Sequence, residues 1–172
     1  MTSNSNADRV IIRPLSDTDS LEELTELLHR AYAHLANLGL KFVATYQDVD
    51  VTRKRIAKGI CLIAELDGRM VGTITFYPRE IGKPTPWMSR SNVAVIGQMG
   101  VEPRLQRQGI ATKLMLAAED CARVDGAAEL ALDTAEPATH LIQWYTRLGY
   151  RFIEYMQWDV TNYRSVVMSK RL

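Results

Sequence analysis

Residues Asn92 to Asp125 read NVAVIGQMGVEPRLQRQGIATKLMLAAEDCARVD, and the parsing of this stretch decides the fold. An apolar run rich in Val and Ile is followed by Glu102-Pro103, by Gln106-Arg107-Gln108-Gly109-Ile110-Ala111, and by a long alanine- and leucine-rich amphipathic segment. That is a strand, a tight turn and a helix. A turn of this kind leaves the first free backbone N–H groups of the helix pointing outward, where an anion can accept them and the helix dipole favours negative charge. The turn therefore reads as a phosphate-binding element. Beyond Gly109, residues Ile110, Ala111, Leu114, Ala117, Ala118, Cys121 and Ala122 form one stripe, with Lys113, Glu119, Asp120 and Arg123 on the other side and Leu116 as an exception. Small alanines on that stripe let the helix lie close against a sheet. Gly97 and Gly100 fall inside the strand, where glycine is justified by a bulge or by the close approach of a ligand or another backbone. A bulge would splay the strand from its neighbour and leave N–H and C=O groups along a cleft, open to an extended amide-bearing ligand.

Upstream of this stretch, Arg9 to Leu15 reads as a short first strand ended by Pro14. Ser20 with Glu23 is a capping-box pattern, and apolar residues recur at helical spacing from Leu21 to Leu35 before Gly39. A weaker helix follows from about Asp50 to Lys58. Ile60 to Leu66, Asp67-Gly68 and Met70 to Tyr77 make a hairpin. Pro78 to Ser91, with Gly82, Pro84 and Pro86, is an irregular loop. Downstream, Ala128 to Asp133 is a buried strand, Pro137 opens a helix that Gly149 closes, and Tyr150 to Trp158 and Arg164 to Lys170 are two last strands. The predicted class is a single-domain α/β (α+β) fold over residues 9–172, a mixed and mostly antiparallel sheet of about seven strands flanked by four helices, behind a flexible polar tail at 1–8.

Composition bounds the function. The 172 residues carry 21 basic and 20 acidic side chains scattered along the chain, so there is no charge footprint for nucleic acid, and no apolar run approaches the roughly 18 to 20 residues of a membrane span. Cys61 and Cys121 lie far apart in apolar segments and read as small buried hydrophobes of a reducing, cytoplasmic compartment. His29 and His34, five apart on one helix, do not share a face, and no metal site is expected.

The segment V-E-P-R-L-Q-R-Q-G-I-A resembles motif A of the GNAT superfamily of acyl-CoA-dependent acyltransferases, with Gln106, Gly109 and Ala111 at its defining positions. W-Y-T-R-L-G-Y-R-F, Trp144 to Phe152, resembles the family's motif B, and the element order matches from Arg9 to Leu172. The resemblance implies that Met99 and Val101 pair with the pantetheine arm of acetyl-CoA. It further implies that the Met99 N–H polarises the acetyl carbonyl, and that Gln106 and the backbone of Arg107, Gln108, Gly109, Ala111 and Thr112 hold the pyrophosphate. Tyr145 stands where the family places the general acid that protonates the leaving thiolate. The implied activity is direct transfer of acetyl to a primary amine of a small molecule or peptide in a ternary complex, with a homodimer left open. A non-catalytic acyl-CoA sensor or interaction module of the same fold is the alternative.

Two departures from the family pattern matter. Family members with a base on the central strand carry Glu or His where this chain has Gly97 and Val95, and the Asn near the start of the motif B helix is Ala138. An alkyl amine is only about one part in a thousand neutral at pH 7, so either water or a side chain from elsewhere must take its proton, with Glu80, Asp133 and His140 as candidates. Phe42, Tyr46, Trp87, Tyr155 and Trp158 either wall the acceptor side or pack in the core, with Glu80, Asp48 and Asp50 able to supply a few charges.

Overall fold

A computed structural model describes residues 6–172. Its strands are β1 (Ile11–Pro14), β2 (Ile60–Leu66), β3 (Arg69–Tyr77), β4 (Val93–Val101), β5 (Glu129–Ala135), β6 (Arg151–Gln157) and β7 (Arg164–Arg171). They form one sheet in the order β1-β2-β3-β4-β5-β7-β6. Every neighbouring pair is antiparallel except β4 with β5. The helices are α1 (Asn6–Arg9), α2 (Leu21–Asn37), α3 (Val43–Tyr46), α4 (Val49–Ile56), α5 (Ile110–Val124) and α6 (Thr139–Arg147), with a 3-10 turn at Pro103–Leu105. The four helices expected from periodicity are α2, α4, α5 and α6. The other two, α1 and α3, are single turns, too short to show a periodic stripe.

Local signals explain these boundaries. Ser20 caps α2 by accepting from the Glu23 N–H at 3.1 Å, and Asp48 caps α4 by accepting from Val51 at 2.8 Å. Asp67 and Gly68 both have positive φ, the geometry that closes the β2–β3 hairpin. Residues 1–5 of the expected tail lie outside the described residues. Residues 6–8 belong to α1, which Lys113 holds through its ammonium to the Ala7 and Val10 carbonyls.

Helix α5 lays Ile110, Leu114, Met115, Ala118 and Ala122 on one face of the sheet, in a cluster with Ile74, Phe76, Ala94, Ile96, Leu130 and Met168. Glu119, expected on the polar side, is buried instead. Lys170 reaches its carboxylate at 2.9 Å and the Tyr150 hydroxyl donates to it at 3.2 Å, so the charge is paired across α5 and β7. Tyr150, the aromatic after the Gly149 stop, thereby joins motif B to the central helix. The opposite face carries α2 and α4 over β2, β3 and β4. There α2 comes so close that a Cβ on Gly100 would stand 2.8 Å from that of Ala31.

Candidate active site

The parallel pair β4–β5 is registered only from Val93 opposite Glu129 to Val95 opposite Ala131, although the strands run on to Val101 and Ala135. Beyond Val95 they part, and β4 presents an unpaired edge to a cleft. The cause of the divergence sits in β4 itself. Thr73 pairs with Gly100 and Thr75 with Gly97, so β4 carries one more residue than β3 over this interval, a bulge at Gln98-Met99. Gln98 takes φ of 51°, although it is not a glycine, and its side chain is fixed on all sides. It accepts from Gln47 Nε2 at 3.0 Å and donates to Thr75 Oγ1 and the Tyr77 hydroxyl, both at 3.4 Å. Gln47 is held in turn by Arg55 at 2.5 Å and by Thr52 at 2.8 Å. The bulge predicted from Gly97 and Gly100 therefore lies between them, on a residue clamped by a polar network.

The Glu102 N–H donates to the Val71 carbonyl of β3 at 2.8 Å. By strand alternation the Val101 N–H and carbonyl face the cleft. The Val101 carbonyl is taken by Gln106 Nε2 at 3.1 Å, which folds the turn back onto the strand end.

The turn before α5 takes left-handed backbone at two positions. Gly109 caps the helix with φ of 88° and Arg107 has φ of 61°, a succession of left-handed positions that aims backbone N–H groups into one concavity. Unlike α2 and α4, α5 has no side-chain cap among the described residues and no acidic residue in its first turn, so its first N–H groups have no partner within the helix. The Gln108 side chain is committed elsewhere, donating to the Arg104 carbonyl at 3.2 Å and accepting from Asn6 at 2.9 Å. Gly109 is required by its φ. Among the described residues, the only atom within 4 Å of a Cβ there would be Ala7 Cβ at 3.6 Å.

Tyr145 projects from α6 into the sheet interior, with Trp144 at 4.8 Å and Tyr150 at 6.1 Å between ring centroids. Burial pushes its phenol far above the ordinary tyrosine value, and Tyr32 and the Asp133 carboxylate add in the same direction. Tyr32 is itself pushed up to about 12 by burial, against the pull of nearby Arg55 and with Asp133 and Tyr77 adding to the rise. Tyr145, Tyr32, Tyr77, Arg55 and Asp133 thus form one electrostatic neighbourhood.

Of the three side chains weighed as bases, the structure brings only Asp133 into that neighbourhood. Its burial opposes ionisation, but Lys83 at 3.0 Å and the Trp158 indole N–H at 2.9 Å outweigh this and hold the carboxyl below the usual range. Glu80 is exposed on the rim of a cavity described below, and His140 is exposed with its ring 6.1 Å from that of His34. Among the expected aromatics, Trp158 reaches the cleft through Asp133. Phe42 packs against Tyr163 and Tyr32, and Tyr46 is half-exposed beneath Lys41. Trp87 and Tyr155 do not wall it. Trp87 packs against a buried cluster that includes Met88, Val93 and Val167, under Arg90, and Tyr155 stacks beneath Arg164 on the edge strand β6. Sequence reading missed Gln98, Tyr77 and Lys83. A lone glutamine inside an apolar strand was a readable signal, whereas nothing in the irregular loop distinguishes Lys83.

A family model of the acetyltransferase (GNAT) family matches residues 21–150. The chain belongs to the GNAT acetyltransferase family. It is 34% identical over 131 residues to the S-(2-succino)cysteine N-acetyltransferase of Bacillus subtilis (strain 168), covering 75% of this chain and 77% of that protein. Solved structures share the acetyltransferase fold at low identity. A GNAT family acetyltransferase from Elizabethkingia anophelis with acetyl-CoA bound aligns with a TM-score of 0.69 at 16% identity, over 96% of this chain and 99% of that one. A Bacillus subtilis acetyltransferase in complex with CoA aligns at 0.66 and 18%, over 95% and 99%. The chain is an acetyl-CoA-dependent acyltransferase.

Proposed function

We propose that this acetyltransferase holds acetyl-CoA and an amine together and moves the acetyl group directly between them. The observation that carries this reading is the splayed β4 edge ending at the open N-terminus of α5, with the Tyr145 side chain buried on the neighbouring helix. The pantetheine amides would pair with Met99 and Val101, and the pyrophosphate would sit on the N–H groups of Arg107, Gln108, Gly109, Ala111 and Thr112. Gln106 braces this turn through the Val101 carbonyl.

In the reaction the amine nitrogen forms a bond to the thioester carbon, charge develops on the carbonyl oxygen, and the C–S bond breaks. The Met99 N–H is the donor for that oxygen, a contribution of about 3 to 4 kcal/mol in comparable sites. The Tyr145 hydroxyl gives its proton to the departing sulfur. Its raised phenol keeps that proton throughout the working pH range. The proton lost by the amine passes to water, because Asp133 is already engaged by Lys83 and Trp158. The relative's substrate is a substituted cysteine, which favours a small-molecule amine over a peptide as the acceptor.

Initial rates of CoA release with acetyl-CoA and amine both varied test the scheme. Intersecting lines are expected. Parallel lines, the pattern of an acetyl-enzyme intermediate, would overturn direct transfer.

A further inference from the structure

Between the end of α4 and the loop after β3 lies a cavity of about 640 Å³ lined by Lys54, Arg55, Lys58, Arg79 and Lys83, with Glu80 as its one acidic lining residue. The chain as a whole is almost neutral at +1, so this is a local concentration of positive charge. Lys54 and Arg55 belong to the last turn of α4, where a helix dipole favours cations for its own reasons. That does not explain Arg79 and Lys83, which come from the loop after β3 and converge on the same space. Arg79 is partly offset by Asp125 and Lys83 by Asp133. Lys54, Arg55 and Lys58 form no ion pair among the described residues, and Arg55 spends a hydrogen bond on the neutral Gln47 amide.

The cavity adjoins the proposed reaction centre. Its wall includes Tyr77, whose ring would be 3.3 Å from a Cβ on Gly97 and whose hydroxyl accepts from Gln98. Lys83 Nζ would be 3.9 Å from the same point on Gly97. An acceptor whose amine reaches the bulge therefore extends its remaining groups among these cations.

We infer that this cavity is a carboxylate-reading acceptor subsite, so that the enzyme acetylates small amines bearing two or more carboxylates and rejects cationic ones. The inference rests on the acetyl-transfer reading for its chemistry, and on the cavity alone for its selectivity. S-(2-succino)cysteine, the substrate of the Bacillus subtilis relative, carries three carboxylates and one amine and is the natural probe. S-propylcysteine and S-(2-aminoethyl)cysteine present the same amine on a neutral and a cationic arm.

The test measures CoA release for the three acceptors and, in parallel, calorimetric binding of each to the CoA-saturated protein. Expected is a kcat/KM at least about 100-fold higher for S-(2-succino)cysteine than for S-propylcysteine, with the cationic acceptor poorer still, two charge-assisted contacts each contributing about tenfold. That ratio falls about tenfold in Lys58→Gln and again in Arg55→Gln, and it shrinks with added salt. Because Arg55 braces Gln47, the exposed Lys58 carries the decision if the Arg55 variant folds poorly. Equal kcat/KM for the succino and propyl acceptors would overturn the subsite while leaving acetyl transfer standing. Tight, salt-sensitive binding of S-(2-succino)cysteine without CoA release from acetyl-CoA would do the reverse.

Discussion

Replacing Tyr145 by Phe removes one oxygen and leaves the ring between Trp144 and Tyr150, so the fold should lose under about 1 kcal/mol, the net worth of an ordinary hydrogen-bonding group. The effect belongs in the rate. A positioned general acid contributes about 10² to 10⁴-fold, and kcat at pH 7 should fall by that range while the KM for acetyl-CoA changes little. The pH dependence identifies the cause. The wild-type phenol, raised by burial, Tyr32 and Asp133, does not titrate below pH 10, so the parent enzyme keeps its acid throughout. The leaving sulfur, whose thiol has a pKa of about 8.5 by analogy with cysteine, takes its proton from the same undissociated phenol at every pH in this range. The deficit of Tyr145→Phe should therefore stay about constant between pH 7 and pH 9.5. Thiol release at saturating acetyl-CoA and acceptor, read against a thiol reagent across this range, measures it. Turnover equal to the parent's at every pH would refute the assignment, and a deficit that disappears as the pH rises would show that the group lost is one that titrates in this range and not the Tyr145 phenol.

Lys83→Met leaves Asp133 buried without its cation. The folded carboxyl is now depressed, so the pair stabilises the protein above about pH 4, the unfolded aspartate value, and that stability is lost as pH falls through the folded value. Urea unfolding should show a loss of about 2 to 4 kcal/mol at pH 7, moderated because Lys83 is 27% exposed, and a smaller loss at pH 4; equal losses at both would contradict the pairing. Gly100→Ala places a Cβ 2.8 Å from that of Ala31 and should cost about 1 to 3 kcal/mol, recovered in part by adding Ala31→Gly. Thermal melts of the single and double variants would decide it. Gly109→Ala forces a side chain into φ of 88° and should raise the Kd of CoA at least about tenfold by tilting the turn's N–H groups, and an unchanged Kd by calorimetry would exclude that turn as the diphosphate site.

Much of this geometry was readable because it is local. Ser20, Asp67-Gly68 and Gly109 each announce a cap or a left-handed turn within four residues, and the structure uses each in that way. The two strand glycines announced a bulge. They could not say that it would fall on Gln98, because what holds Gln98 at positive φ is a chain of hydrogen bonds from Gln47, Thr75 and Tyr77, on two other elements. The same limit applies to Glu119, whose helical phase looked polar and whose partners, Lys170 and Tyr150, are supplied from outside its helix. Trp87 and Tyr155, open in the sequence between the acceptor wall and the core, meet a related limit. An aromatic in a loop or edge strand packs wherever a flat cation or an apolar ledge is offered, and Arg90 and Arg164 offered them away from the cleft.

The absent base and the basic cavity follow from one arrangement. In the family pattern an acid can stand where this chain has Gly97, but here that position opens toward Tyr77 and toward Lys83 Nζ. A carboxylate placed there would meet the same ammonium that already holds Asp133 below the usual range, and its affinity for an amine proton would be reduced in the same way. A wall rich in lysine and arginine and a carboxylate general base are thus poor companions. Glycine at this position adds no charge beside Lys83, and the cations remain available for the carboxylates of an acceptor. The cost falls on deprotonation, so kcat/KM should climb with pH toward the acceptor amine's own pKa, without a limb from Asp133.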